Sequence, residues 1–122
     1  MLTIHTGSAG WEYYPSDIAL TIGKPLNLTE GKLAAISDGA TAPEYVSMCD
    51  NAAPGGAVVP VIKVTPDIVF ETTTSVAIPN VKIGDKVEIT TDGKITATEG
   101  GCAEVIYIED TTAGSTVRIR FA

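Results

Sequence analysis

Few side chains in this sequence could act as a nucleophile, a base or a metal ligand. His5 is the only histidine, and it lies in a glycine-containing stretch where nothing would hold an imidazole within hydrogen-bonding distance of a partner. Cys49 and Cys102 lack the closely spaced partners of zinc sites, and no local signature pairs either with His5 as a nucleophile. We therefore predict no catalytic residue, no cofactor and no metal site. The cysteines are interpreted as free thiols, with a disulfide as the alternative.

The acidic residues are scattered through segments that are typical of turns. Most aspartates stand beside Gly, Pro or Asn, where the carboxylate accepts hydrogen bonds from backbone N–H groups of the turn. No loop has the Asp-x-Asp-x-Asp-Gly spacing of a calcium site, and no glycine-rich phosphate loop is present. Turn formation explains these residues without catalysis: Asp17, Asp38, Asp50, Asp67, Asp85, Asp92 and Asp110.

An aromatic cluster near the N-terminus points to binding instead. Residues 1–17 contain the only tryptophan and two of the four tyrosines, without the sustained apolar and polar alternation of a strand. Trp and Tyr contribute much of the binding energy at protein interfaces, so we predict an extended arm that docks on another chain. The alternative is that the arm folds back as a lid. The predicted partner-binding residues are Trp11, Glu12, Tyr13, Tyr14 and Pro15.

The only two arginines lie in the last predicted strand. Arg118 and Arg120 alternate there with apolar residues, so they share the face of the strand that points away from the core. They are interpreted either as a solvated face or as an inter-subunit contact that pairs with acidic residues of a neighbouring copy.

The elements that position these residues are short strands separated by turns. Residues 86–91 alternate with period two, Asp92-Gly93 is a turn pair whose two residues favour positive φ, and residues 94–98 alternate back. Thr, Val and Ile dominate the sequence, and no window has helical spacing of apolar residues. The chain is predicted to be all β.

An internal repeat organises these strands. Residues 22–35 align with residues 83–97, and in each copy an apolar strand, an Asp-led loop ending in Gly and a Val-rich strand follow the hairpin. Because a lone hairpin cannot bury its apolar face, two hairpin-based pseudo-repeats predict a small closed β-barrel or a β-sandwich. We divide the chain into an N-terminal arm, 1–17, and a β-barrel domain, 18–122.

Composition excludes several classes of partner. The chain has 122 residues, with 8 basic against 15 acidic side chains and a net charge of −7, which disfavours nucleic acids and anionic membrane surfaces. No apolar run reaches the length of a membrane span, and the N-terminus does not have the pattern of a signal peptide. We expect no nucleic acid and no membrane partner.

Four segments in the second half of the sequence form a recognisable pattern: residues 83–89, 92–96, 105–110 and 113–121. They contain a Gly-Asp-x-Val strand, a Gly-Lys hairpin, an apolar strand with an acidic end, a small-residue loop and an alternating terminus with two arginines. This pattern resembles that of the small capsid decoration (cement) proteins of tailed bacteriophages, and residues 69–71 look like the family's Val-Phe-Glu strand. The resemblance spans roughly 18–122, and the arm has no counterpart in it.

This resemblance implies a non-enzymatic virion protein, made in the host cytoplasm, that binds the outer surface of the capsid shell and stabilises it. The implied partners are the major capsid protein and further copies of the chain, as a homotrimer on the shell. Deletion of residues 1–14 is then expected to leave the domain folded and to abolish capsid binding. The alternative function is an extracellular β-domain that binds carbohydrate or a cell-surface partner through Trp11, Tyr13 and Tyr14.

Overall fold

The predicted all-β class is confirmed by the structure, a computed structural model that describes all 122 residues. Eleven strands and no helix are present. Short runs of β-branched residues between Gly, Pro, Asn and Asp account for this, because such runs fit a pleated, half-buried surface. The strands are β1 Thr3–Thr6, β2 Trp11–Pro15, β3 Pro25–Thr29, β4 Lys32–Ala35, β5 Tyr45–Ser47, β6 Val58–Lys63, β7 Val69–Thr73, β8 Lys86–Ile89, β9 Ile95–Glu99, β10 Ala103–Ile108 and β11 Thr116–Phe121.

The strands form two antiparallel sheets, which are not closed into the barrel that the sequence predicts. Sheet A has the order β1-β7-β11-β10-β8-β9, and sheet B has the order β2-β6-β5-β3-β4. In each sheet a single parallel bridge connects two strands that are not paired: Ser16, after β2, bridges Leu33 of β4, and Thr74, after β7, bridges Ile95 of β9. One bridge does not make a continuous ladder, so each sheet stays open.

The predicted internal repeat has a structural counterpart that covers five strands of each sheet. Sheet B connects β2 to β6, β5, β3 and β4, and sheet A connects β7 to β11, β10, β8 and β9 in the same sequence of neighbours. The register matches as well, since Glu12 faces Val61 in one sheet and Phe70 faces Ile119 in the other.

Loop hydrogen bonds also repeat between the two halves. The Gly56 N–H donates to the Ser16 carbonyl at 2.9 Å, and the Gly114 N–H donates to the Thr74 carbonyl at 2.9 Å. We call β2–β6 the first repeat and β7–β11 the second repeat.

The two hairpins of the repeats use different turns. Between β3 and β4, Glu30 and Gly31 both have positive φ (51° and 79°), as the tight turn of a two-residue hairpin requires. Between β8 and β9 only Gly93 has positive φ (87°), and its N–H donates to the Thr90 carbonyl at 3.0 Å. The prediction that both Asp92 and Gly93 adopt positive φ is therefore wrong, because the loop is longer and needs only one left-handed residue at its end.

Residues 1–17, predicted as an extended arm, lie within both sheets. β1 pairs with β7, where Thr3 faces Glu71, and β2 pairs with β6, where Trp11 faces Ile62. Leu2 is completely buried. The boundary between 1–17 and 18–122 therefore does not coincide with a break in the sheets. Strands whose side chains are all exposed or half-buried carry little hydrophobic alternation, which is why the sequence pattern there is weak.

The two repeats share a core. The larger apolar cluster contains 17 buried residues from both halves of the chain, including Val46 and Ile62 of sheet B with Phe70 and Ile119 of sheet A. A smaller cluster of six residues, around Leu26 and Val61, belongs to the first repeat.

Gly39 is a backbone link between the repeats. Its carbonyl accepts the Ile89 N–H at 3.1 Å, and a Cβ at position 39 would lie 2.2 Å from the Ile89 carbonyl oxygen. Only glycine fits this approach without a backbone shift.

Candidate partner-binding surface

Strand β2 carries all five residues that the sequence predicts as a partner site, but it divides them between two faces. Side chains alternate along a strand, so Trp11, Tyr13 and Pro15 share one face while Glu12 and Tyr14 share the other. Trp11 is 57% exposed and Tyr13 is 62% exposed. The five predicted residues therefore form two separate groups, an aromatic group on the exposed face and a half-buried polar group on the other face.

The exposed face extends from β2 onto β6. Tyr13 lies opposite Pro60, and Pro15 lies opposite Val58, which is 64% exposed. Directly opposed residues of an antiparallel pair lie on the same face, so these side chains form one apolar surface. We call it the β2–β6 patch: Trp11, Tyr13, Pro15, Val58 and Pro60. The β6 half of the patch was not predicted, because no sequence pattern shows which strand pairs with the strand that contains Val58 and Pro60.

On the opposite face of β2 the polar side chains bond to one another. The Tyr14 hydroxyl donates to Glu12 Oε1, and the Tyr45 hydroxyl lies 3.4 Å from the same oxygen. The two hydroxyls are 3.2 Å apart, and the rings of Tyr14 and Tyr45 pack at 5.2 Å between centroids. The hydrogen bond to Glu12, with a further contribution from Tyr45, raises the pKa of Tyr14 well above its ordinary value. Glu12 and Tyr14 thus stabilise the sheet from its inner face.

Arg118 and Arg120 both find acidic partners within the chain. Arg118 Nε lies 3.2 Å from Glu71 on β7, and its guanidinium lies 4.5 Å from the centroid of the Tyr107 ring. Arg120 lies 2.6 Å from Glu104 on β10. Both are cross-strand pairs on the outer face of sheet A, so the carboxylates that face these arginines belong to the neighbouring strands of the same sheet.

Equivalent positions of the two repeats carry opposite chemistry on their outer faces. Tyr13 faces Pro60 in sheet B where Glu71 faces Arg118 in sheet A. Likewise, Val46 faces Ile62 where Glu104 faces Arg120. The second repeat therefore carries ion pairs at positions where the first carries apolar side chains, either exposed or buried. Since Val46 and Ile62 are buried in the shared core, the exposed part of this apolar face is the β2–β6 patch.

The remaining candidates for chemistry lie apart from one another. His5 is exposed on β1, Cys49 is half-buried beside the smaller cluster, and Cys102 is buried in the larger one. Both cysteines are free. Burial raises the pKa of the Cys102 thiol to about 11, and its Sγ donates to the Gly39 carbonyl at 3.4 Å.

No group of potential metal ligands gathers at one place, and the surface has no pocket. The structure contains no helix that is long and apolar enough to span a bilayer.

Comparison with known proteins identifies a structural relative. No protein-family model and no curated protein sequence matches the chain. Among solved structures, it is similar to the head fiber gp8.5 N base of bacteriophage phi29, with a TM-score of 0.64 and 16% sequence identity, over 100% of this chain and 95% of that one. At this identity the similarity establishes a shared fold. The resemblance to a protein of the bacteriophage head is confirmed at that level.

Proposed function

We propose that this chain is a non-enzymatic structural protein of a tailed-phage head. On this proposal it binds the outer surface of the capsid shell and stabilises the shell as a decoration, or cement, protein. The observation that carries the proposal is the shared fold, over nearly the full length of both chains, with a protein named as a phage head fiber base. The decoration pattern in residues 83–121 supports the same role independently of the fold.

The β2–β6 patch is the proposed attachment surface. Exposed Trp and Tyr side chains contribute binding energy when a partner excludes water from them. Trp11, Tyr13 and Val58 are each more than half exposed on the same face, which therefore offers a contiguous apolar contact for the major capsid protein. The equivalent face of the second repeat carries ion pairs, so the two repeats differ at these positions. The family resemblance adds that three copies meet at a three-fold position of the shell.

Co-sedimentation with purified, expanded capsids of the source phage tests this function. Wild-type protein is expected to pellet with capsids in a saturable manner, with a stoichiometry set by the shell lattice. Trp11→Ala and Tyr13→Ala are each expected to weaken binding about tenfold or more, as interface aromatic residues do. Ile83→Ala is the matched control, because Ile83 is 65% exposed and lies outside the patch. Wild-type protein that never pellets with capsids would refute the function.

The second candidate is a carbohydrate-binding β-domain. Trp11 and Tyr13, two residues apart on one strand, present their rings on the same face, an arrangement on which sugar rings stack. Glycan-array binding that is lost in Trp11→Ala would favour this candidate. Capsid binding without any glycan binding would favour the structural role.

A further inference from the structure

Strand β2 ends sheet B, and residues 11–13 have no paired strand on the side away from β6; β4 approaches that side only beyond the strand's end, where Ser16 bridges Leu33. Its ladder with β6 alternates, and the bonds that bracket it are Lys63 N–H to the Gly10 carbonyl and Ser16 N–H to the Ala57 carbonyl, both at 3.1 Å. Even-numbered residues of β2 therefore bond to β6. The backbone N–H and C=O groups of Trp11 and Tyr13 point the other way, toward the open edge.

The second repeat shows what an edge of this kind accepts. Val69 and Glu71 occupy in β7 the positions of Trp11 and Tyr13 in β2, and there β1 pairs antiparallel to them. Sheet A thus has a sixth strand where sheet B has none. In the second repeat, the edge of β7 is paired with an extended strand. In the first repeat, the equivalent edge of β2 at Trp11 and Tyr13 has no such strand.

We propose that the β2 edge pairs with the β2 edge of a second copy of this chain, antiparallel and about a two-fold axis at Glu12. In this register Trp11 of each copy exchanges both backbone hydrogen bonds with Tyr13 of the other copy. Trp11 and Tyr13 also come to lie side by side across the new ladder, on the same face, as cross-strand aromatic pairs do. The edge is therefore self-complementary in backbone and in side chains.

Pro15 favours the register centred on Glu12 over the register centred on Tyr13. A slip that centres the pairing on Tyr13 would place Trp11 opposite Pro15 of the other copy, and proline has no N–H to donate. That register loses a hydrogen bond at each end. Pro15 also stops the ladder from extending further along the edge, which is how edge strands avoid unlimited pairing.

Charge sets the strength of the contact. Glu12 of each copy faces its symmetry mate at the centre of the ladder, and each chain carries a net charge of −7. Like charges placed opposite each other weaken strand pairing. The association is therefore expected to be weak at low ionic strength, to strengthen with added salt, and to strengthen in Glu12→Gln.

Edge pairing leaves the β2–β6 patch free, because it extends sheet B sideways and does not cover its outer face. The two patches would join into one aromatic surface across the two-fold axis. The pairing does not depend on the proposed attachment to a capsid, because it uses the backbone edge of β2 and not the face of the sheet.

Sedimentation velocity of the purified full chain over a range of concentrations and salt tests the pairing. Tyr13→Ala removes the ring and keeps the N–H, whereas Tyr13→Pro also removes the N–H that faces the edge. Proline is tolerated at odd-numbered positions of β2, whose N–H groups point away from β6, as Pro15 shows. Wild-type protein is expected to dimerise reversibly, and Tyr13→Pro is expected to dissociate about tenfold more readily than Tyr13→Ala.

Amide hydrogen exchange of the wild-type chain tests the register without any substitution. As concentration rises, the amides of Trp11 and Tyr13 are expected to gain protection while those of Glu12 and Tyr14, already bonded to β6, stay unchanged. A monomer at every concentration and salt, or equal dissociation constants for the Ala and Pro variants, would overturn the two-fold pairing.

Discussion

At the scale of single residues, neighbouring side chains of strand β2 differ in whether they bond within the protein or face solvent. Glu12 and Tyr14 are hydrogen-bonded to each other and approach Tyr45, whereas Trp11 and Tyr13 meet solvent. The sequence identified all of these as partner-binding residues, because composition does not say which way a strand faces. The exposed pair remains the predicted attachment site, and the inner pair explains why a Glu stands between aromatic residues.

The Tyr14 hydroxyl makes stability depend on alkaline pH. The pKa of Tyr14 is raised above its ordinary value of 10.0, so the folded chain keeps this proton at a pH where the unfolded chain releases it. Its contribution is full below about pH 10 and is lost as the pH rises further. The gap in unfolding midpoint between wild-type and Tyr14→Phe is thus expected to shrink above pH 10, in urea titrations from pH 7 to 11. Tyr13→Phe is the control, and a gap that widened with pH would contradict the assignment.

Thr72 stabilises the β8–β9 hairpin of the second repeat through a hydrogen bond to its turn. It is buried, and its hydroxyl donates to the Gly93 carbonyl at 2.7 Å. Thr72→Val leaves that carbonyl without its partner, which is expected to lower the free energy of unfolding by about 1–3 kcal/mol. Thr73→Val, on the neighbouring half-buried position, is expected to change it by less than about 0.5 kcal/mol. Equal losses for the two variants, measured by urea denaturation, would rule out the role of this hydrogen bond.

At the scale of elements, the N-terminal strands correct the picture of a detachable arm. β1 and β2 pair with different sheets, and Leu2 is buried against the shared core with its N–H donated to the Gly23 carbonyl at 3.0 Å. Deletion of residues 1–14 would uncover β6 and β7 and remove a core side chain. We now expect that deletion to destabilise the domain, so single substitutions are the better test of attachment.

Leu2 provides the quantitative form of this prediction. Leu2→Ala is expected to lower the free energy of unfolding by about 2–5 kcal/mol, because it removes buried methyl groups and leaves a cavity. Ile4→Ala, two residues further along the chain in β1, is the control, since Ile4 is partly exposed, and its cost is expected to be about 1 kcal/mol or less. A Leu2→Ala variant as stable as wild-type protein would mean that residues 1–6 are a loose arm after all.

The strands that the sequence predicted best are those with clear period-two alternation and turn residues at both ends. The β8–β9 hairpin and the terminal strand β11 are found where Asp92-Gly93 and the Val117 to Phe121 alternation indicate. The repeat was visible because Ile-Gly and the hairpin residues recur. The two open sheets were not visible, because closure depends on which strand ends meet across the sheet, at Ser16 and Leu33 for example, and no local pattern encodes that distance.

At the scale of the whole molecule, two repeats with the same strand order form one folding unit. The 17-residue cluster contains side chains from both repeats, and Gly39 of the first repeat bonds to β8 of the second. Part of this core, at Val46 and Ile62, lies on the same face of sheet B as the β2–β6 patch. The exposed part of that face is apolar and suits a partner, whereas the corresponding face of sheet A carries ion pairs and suits solvent.

The shared core predicts a single cooperative transition on unfolding. Trp11 is the only tryptophan and reports on the first repeat, while far-UV circular dichroism reports on both. The two signals are expected to change together in urea, because neither repeat can lose its packing alone. Separate midpoints for fluorescence and circular dichroism would show that the repeats are independent domains.

The most direct test of the account is the structure of the chain on a capsid of its source phage, determined by electron cryomicroscopy of decorated shells. The account predicts density for the chain on the outer surface of the shell, with Trp11, Tyr13 and Val58 against the capsid protein. A decorated shell in which the β2–β6 patch points to solvent, or a shell that takes up no density for the chain, would contradict it.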